Sequence, residues 1–285
     1  MRIIRTSLCI LVLYTITVKT EGPGSANIVV PKDEKWSVID SDFYTIHYSK
    51  VFEKDALKAK TFLDLTIKAM REEFSAHDPN AILRQISCNV FLHPKPNDKA
   101  GDGKSLCYTR YTKDGCQAEL HFLTQSMYSA ESKNVVGELK KADYTFHRYV
   151  VHEYSSIFLG VIVRSKLRGW FRNGNNAPSW FWQGYEEYLG MVHSSEHSRI
   201  VTYQKYLDIV RKNPSRIKVA FGLQIRDPYV DGFALLAFMH DCFGRERVHS
   251  VLTSDLETFG EAMKYSLEMN LTDFHDTFKE WLKKP

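Results

Sequence analysis

His152-Glu153-Tyr154-Ser155-Ser156 and Trp180-Phe181-Trp182-Gln183-Gly184-Tyr185-Glu186-Glu187-Tyr188 are the stretches on which the reading of this chain turns. Both sit in segments with helical spacing. Around the first, Phe146, Val150, Ile157 and Val161 mark a buried stripe of a helix over residues 144–164. His152 and Ser156 then lie one turn apart on one face. The second helix is expected to begin at Pro178, a residue suited to the first helical position, and to stop at Gly190. Gln183 and Glu187 lie one turn apart on it.

Upstream, the pattern is that of strands and one long helix. Residues 43–48 alternate and are rich in aromatic and β-branched side chains, so they read as a strand. Residues 55–74 place Leu57, Phe62, Leu65, Ala69 and Phe74 near helical spacing. Residues 86–92 form a second strand, stopped by His93-Pro94-Lys95-Pro96, and a Gly-, Asp- and Lys-rich loop runs on to Lys104. Residues 119–123 form a third, short strand. From Asp143 the chain reads as mostly helical, with breaks at 172–177, Asn213-Pro214 and Asp227-Pro228. Helices are expected over 231–242, 245–252, 257–267 and 273–282. The fold class is α+β: a small mixed sheet in residues 27–142, packed on the His152 helix, and a helical subdomain over 143–285.

A chain of 285 residues has ample length for a real core, and its apolar and charged fractions are those of an ordinary globular protein. Residues 1–20 read as a signal peptide, with Arg2 and Arg5 ahead of an apolar run from Leu8 to Val18. That run is short of the roughly 20 apolar residues a membrane span needs. Cleavage after Thr20 and after Ala26 both fit. The formal charge of +4 includes Arg2, Arg5 and Lys19, so the mature charge is close to neutral. No basic block, phosphate loop or aromatic–basic alternation points to nucleic acid. The expectation is a secreted or lumenal protein with no membrane contact after cleavage.

Setting Cys9 aside, Cys88, Cys107, Cys116 and Cys242 allow three pairings. Cys107 and Cys116 flank a segment able to fold back as a hairpin, which favours that bridge. Cys88 and Cys242 would then pair at long range, or both stay free and buried. No C-x-x-C motif occurs. Asn270-Leu271-Thr272 is the usable glycosylation sequon, because Asn213 is followed by Pro214.

Residues 152–156 are H-E-x-x-H with the second His replaced by Ser. In zinc peptidases, two His residues at i and i+4 on one helix grip one metal. A third ligand comes from a second helix, and the Glu after the first His takes a proton from the metal-bound water. Together the two stretches resemble the gluzincin, or peptidase MA-like, family, whose members include thermolysin and zinc aminopeptidases. The likeness runs from the 43–48 strand to the tail containing Tyr229-Val230-Asp231-Gly232, and it is specific only in the two site helices. It implies a zincin-like fold. His152 matches the first zinc ligand, Glu153 the general base, and Glu187 the acidic residue that orients the ligand His. Ser156 and Gln183 fall where the second and third ligands belong. Neutral hydroxyl and amide oxygens are poor zinc donors beside imidazole or carboxylate.

The resemblance therefore implies a degenerate member: a secreted pseudo-metallopeptidase with no cofactor, whose cleft binds an unknown peptide or protein. The alternative is an active zinc enzyme with an unusual ligand set that recruits His193, His197 or Glu186. His193-Ser194-Ser195-Glu196-His197 matches the inverted H-x-x-E-H motif, but it follows Gly190 in a Ser-rich stretch where a rigid helix is needed. His147 and His240 read as packed or ordinary helix histidines. The aromatic group Trp170, Phe171, Trp180, Phe181, Trp182 and Tyr185 reads mostly as core. Residues 119–123 are the candidate edge strand for pairing with an extended peptide.

Overall fold

The computed structural model describes residues 36–93, 107–111, 117–124, 142–165, 178–195, 198–219 and 223–284. The expected signal segment, Cys9, the loop to Lys104, Cys116, Trp170, Phe171, the 172–177 break, Glu196 and His197 lie outside them.

Five strands make the main sheet: β1 (Trp36–Asp40), β2 (Thr45–Ser49), β3 (Ser87–His93), β4 (Cys107–Tyr111) and β5 (Gln117–Leu123). Their order is β1-β2-β3-β5-β4. β2, β3 and β5 run parallel, and β1 and β4 close the two edges antiparallel. The parallel step from β2 to β3 needs a crossover, which α1 (Glu53–Glu73) and α2 (Pro79–Gln85) supply. The sheet is therefore mixed, as expected. Two assignments are corrected. The 119–123 segment is interior, because β4 pairs along its open side, and β4 is the edge. β1 and β4 carry too few apolar residues in alternation to be read as strands from sequence.

One row across the sheet consists of stacked rings. His47, Phe91, His121 and Tyr108 are register partners on β2, β3, β5 and β4. Their ring centroids lie 4.7, 4.9 and 4.5 Å apart, nearly parallel. Strand spacing sets that interval, so register alone builds the stack. His93 Nε2 lies 2.9 Å from His121 Nδ1, and His121 Nε2 faces Glu119 at 3.3 Å.

The opposite face of the sheet meets α1 and α3 (Ala142–Ser165). On α1 the buried face is Ala56, Ala59, Leu63, Ile67 and Met70. Of the expected stripe, Ala69 and Phe74 are buried and Phe62 packs on the core, but Leu57 and Leu65 are 53% and 47% exposed. Small alanines mark the contact face because they let the backbone approach, which a count of bulky residues misses. α3 is buried at every position from 150 to 160 rather than along one stripe. The enclosed positions include the polar His152, Glu153, Ser155 and Ser156 as well as apolar residues.

The helical half follows as α4 (Ser179–His193), α5 (Tyr203–Lys212), α6 (Val230–Phe243), α7 (Arg245–Thr253), α8 (Phe259–Leu267) and α9 (Leu271–Leu282). A hairpin of β6 (Ile217–Val219) and β7 (Leu223–Ile225) precedes α6. One core cluster runs from Tyr44 to Leu282, so both halves share it. Among the described residues no helix is long and apolar enough to cross a membrane. Pro178 is the N-cap of α4, and the helix passes through Gly190 to His193. Gly190 does not stop the helix; it is the point of contact with α3, since a Cβ there would lie 3.2 Å from the Arg148 carbonyl oxygen.

The tightest crossing is between α4 and α6. A Cβ on Gly184 would sit 2.3 Å from the carbonyl carbon of Gly232, and one on Gly232 would sit 2.3 Å from the Trp180 oxygen. Both neighbours are backbone and cannot step aside. The start of α6 is tied down by Asp231, which is fully buried. It receives Arg216 Nε at 2.6 Å and the backbone N–H groups of Arg226 and Asp227 at 3.0 and 2.8 Å.

Three thiols correct the expected pairings, and of the alternative that Cys88 and Cys242 stay free and buried, the burial holds for Cys88 alone. Cys88, Cys107 and Cys242 are free, Cys88 deep in the core and Cys242 exposed. Hairpin register sets Cys107 opposite Phe122. The sequon residue Asn270 caps α9, its Oδ1 accepting from the N–H groups of Thr272 and Asp273 at 3.0 Å each.

Gly184→Ala is expected to destabilise the protein by more than about 3 kcal/mol, since helix backbones must separate. Gly260→Ala, where a Cβ meets nothing within 4 Å, should gain about 0.5–1 kcal/mol. Urea unfolding of both variants checks the contrast. A second expectation concerns acid. Burial holds the His147 imidazole down at about 4. Burial, with nearby His121 and Arg110, does the same to His93. His240 is also pushed to about 4, by burial first. The unfolded chain takes up these protons near pH 6.5 and the folded chain only near 4, so stability should fall between those values by a few kcal/mol. Unfolding at pH 7 and pH 5 measures the drop, and His147→Phe should reduce it.

Candidate functional site

α3 carries Arg148, His152 and Ser156 at successive turns, with Glu153 beside them; α4 carries Gln183, Glu186, Glu187 and Gly190. The helices cross antiparallel: Gly190 meets Arg148, Glu187 meets Arg148 and His152, and Glu186 meets His152. All of these polar side chains are buried. Buried ionisable groups need partners, and here they find one another.

His152 has a carboxylate near each ring nitrogen, although its Nδ1 makes no hydrogen bond among the described residues. Nδ1 lies 3.4 Å from Glu187 Oε1, and Nε2 lies 3.4 Å from Glu186 Oε2. Glu187 also takes Arg148 Nη1 at 3.1 Å. Arg148 reaches on to the Tyr206 hydroxyl at 3.4 Å. Glu153 turns the other way, toward the sheet edge. It accepts from the Thr109 hydroxyl of β4 and from the Cys107 thiol. Tyr229, set at the start of α6 by the Asp231 network, lies over His152 with ring centroids 6.1 Å apart.

Glu186 is the electrostatic focus. It is 1% exposed, and its Oε1 has no partner among the described residues. Burial pushes its carboxyl up to about 7, with Glu153 and Glu187 adding and His152 and Ser156 opposing. Burial also drives the Cys107 thiol up, and Glu153 drives it further. Both effects favour the protonated thiol over the thiolate.

Of the donors expected for zinc, His152 is the one strong ligand. The Ser156 hydroxyl bonds Glu186, and Gln183 offers only a neutral amide, so the set does not fit catalytic zinc. Among the described residues no group of three or more His, Cys, Asp or Glu is arranged to hold a metal.

The structure brings His152, Glu153, Ser156, Glu186 and Glu187 together, and it adds Thr109, Cys107, Arg148 and Tyr229. Thr109 and Cys107 could not be found without β4. Arg148 could have been found, one turn before His152 on the same face. Other expectations move elsewhere. His193 ends α4 as a helical residue, with Nε2 3.3 Å from Glu73 Oε2. Glu73 Oε1 faces His249 Nε2 at 3.2 Å. This carboxylate joins α1, α4 and α7, and residues so far apart in sequence carry no signal of it. His147 stacks on Phe62 at 4.4 Å and His240 on Tyr188 at 4.1 Å. Trp180, Phe181 and Tyr185 are core.

The Glu186 carboxyl is expected to tilt stability against pH in the direction opposite to the histidines. Its folded value lies above its unfolded one, so the folded state holds a proton that the unfolded state has lost, and stability falls as pH rises from about 4.5 to 7. Glu186→Gln removes that dependence. Relative to wild type, the variant should gain on the order of 2–3 kcal/mol between pH 5 and pH 8 in urea unfolding. An unchanged difference would mean that Glu186 is ionised throughout. No protein-family model matches this chain, and no curated protein matches its sequence.

Proposed function

We propose that this chain is a secreted, catalytically inactive, peptidase-like protein with a zincin-like scaffold, whose cleft binds a peptide or protein. Residues 152–156 and 180–188 support the scaffold, as does a mixed sheet whose antiparallel edge lies beside the His152–Glu153 helix. The observation that carries the binding reading is the contact of the edge strand with the site: Thr109 of β4 hydrogen-bonds Glu153. An extended peptide adding to the open side of β4 would run past Glu153 and Tyr229. The apolar run in residues 1–20 supports secretion.

Inactivity rests on chemistry. Without a metal, Glu153 has no activated water to deprotonate, and its carboxylate is engaged by a hydroxyl and a thiol. The second reading is a zinc enzyme that recruits Glu186, and one distance favours it: Glu186 Oε2 lies 3.4 Å from His152 Nε2.

Elemental analysis of the secreted protein separates the two. Less than about a tenth of an equivalent of zinc supports the inactive reading, and about one equivalent supports the other, given that three protein ligands are needed. Ser156→His combined with Gln183→Glu should bind about one equivalent. Failure of that double variant to take up zinc while folded would overturn the zincin-like assignment.

A further inference from the structure

The outward face of α5 carries an exposed apolar pair among cations. One π-helical turn, Ser198–Thr202, leads directly into the helix. Helical spacing sets two rows side by side. One row is Ile200, Gln204, Asp208 and Lys212; the other is Val201, Lys205 and Ile209. All seven residues line one open groove of about 460 Å³. The inner face of the helix, with Leu207 and Val210, is buried in the core. Ile200 and Val201 are instead 58% and 49% exposed. A single exposed aliphatic is ordinary on a protein surface. Here two β-branched ones stand in succession, and the charge around them is of one sign.

Between residues 198 and 219 the cations are Arg199, Lys205, Arg211, Lys212, Arg216 and Lys218, and the one acid is Asp208. Arg216 is committed to Asp231 at 2.6 Å. Asp208 is engaged within its own helix. Gln204 Nε2 donates to it at 2.9 Å, and Arg211 Nη1 lies 3.6 Å away. Arg199, Lys205 and Lys212 are all exposed, so the face presents net positive charge.

This combination selects its occupant. A soluble acidic polymer would pair with the cations and leave Ile200 and Val201 in water. A protein segment is gripped by opposed walls, whereas every residue lining this groove belongs to one helix and the turn before it. An anionic lipid surface meets both requirements. Its headgroups pair with Lys and Arg, and its acyl boundary takes up aliphatic side chains. No spanning segment is needed for this.

We propose that the α5 face docks the protein on an anionic membrane surface. Ile200 and Val201 enter the boundary between headgroups and acyl chains, and Arg199, Lys205 and Lys212 pair with lipid phosphates and carboxylates. This departs from the expectation of no membrane contact, which rested on spanning length alone. The face is independent of the His152 site.

Co-sedimentation of the secreted protein with vesicles tests the proposal. One set is phosphatidylcholine alone, and the other contains about one-third phosphatidylserine. Binding to the anionic set should be at least about tenfold tighter, and it should weaken as added salt screens the charges. Lys205→Glu with Lys212→Glu should bring it down to the phosphatidylcholine level. Ile200→Ser with Val201→Ser should weaken it by about fivefold or more. All four positions are exposed, so urea unfolding of both variants should match wild type. Equal binding to the two vesicle sets, or none to either, overturns the proposal. Anionic binding that the serine pair leaves unchanged overturns it as well, because the cations alone would then suffice and any acidic polymer could be the occupant.

Discussion

The geometry of this molecule depends on how closely α4 approaches its two neighbours. Gly184 lets it meet α6 backbone to backbone, and Gly190 lets it lean on α3 at Arg148. The first contact brings Tyr229 over the site, because Asp231 ties the beginning of α6 to the β6–β7 hairpin. The second brings Glu186 and Glu187 within reach of His152. A side chain at Gly184 would force the α4 and α6 backbones apart, since its Cβ would lie 2.3 Å from the Gly232 carbonyl carbon, whereas one at Gly190 would ask Arg148 to give by a few tenths of an ångström. The contact at Gly184 is therefore the stricter constraint.

Once the helices are that close, electrostatics decides what the site can be. His152 lies between two carboxylates, with its Nδ1 making no hydrogen bond among the described residues, and burial raises the Glu186 carboxyl to about 7. The same device recurs at Glu73, where one carboxylate joins histidines from α4 and α7. In both places the protein uses a buried acid to join helices distant in sequence. The two nodes differ in outcome. Burial by itself would raise the Glu73 carboxyl, but hydrogen bonds from His193 and His249 hold it well below the usual carboxylate range. At Glu186 burial prevails, and the carboxyl stands at about 7.

The sheet edge is the other half of the site. β4 is short and follows a polar loop, yet it carries the two side chains that engage Glu153. Its hydrogen-bonding partner β5 reads as a strand from sequence, and the hairpin between them then fixes which residue faces α3. Thr109 and Cys107 fall on the helix side, while Tyr108 falls on the far side and completes the ring stack with His121. A shift of one residue would exchange these faces.

Some of this was legible in the chain itself. Helical spacing around His152 and Gln183, the alternation of β2, β3 and β5, and the one-turn spacing of Gln183 and Glu187 on α4 are local, and local patterns specify local structure. That Ser156 and Gln183 offer only neutral oxygens is likewise a matter of composition at two positions. The phase of α1, the all-round burial of α3 and the edge position of β4 depend instead on which surfaces meet, and so does the convergence of Thr109, Cys107, Arg148, Glu186 and Tyr229. These residues lie on four elements, and no spacing rule connects them. Only tertiary packing, governed by where glycine permits contact and where register fixes a face, could bring them to one histidine.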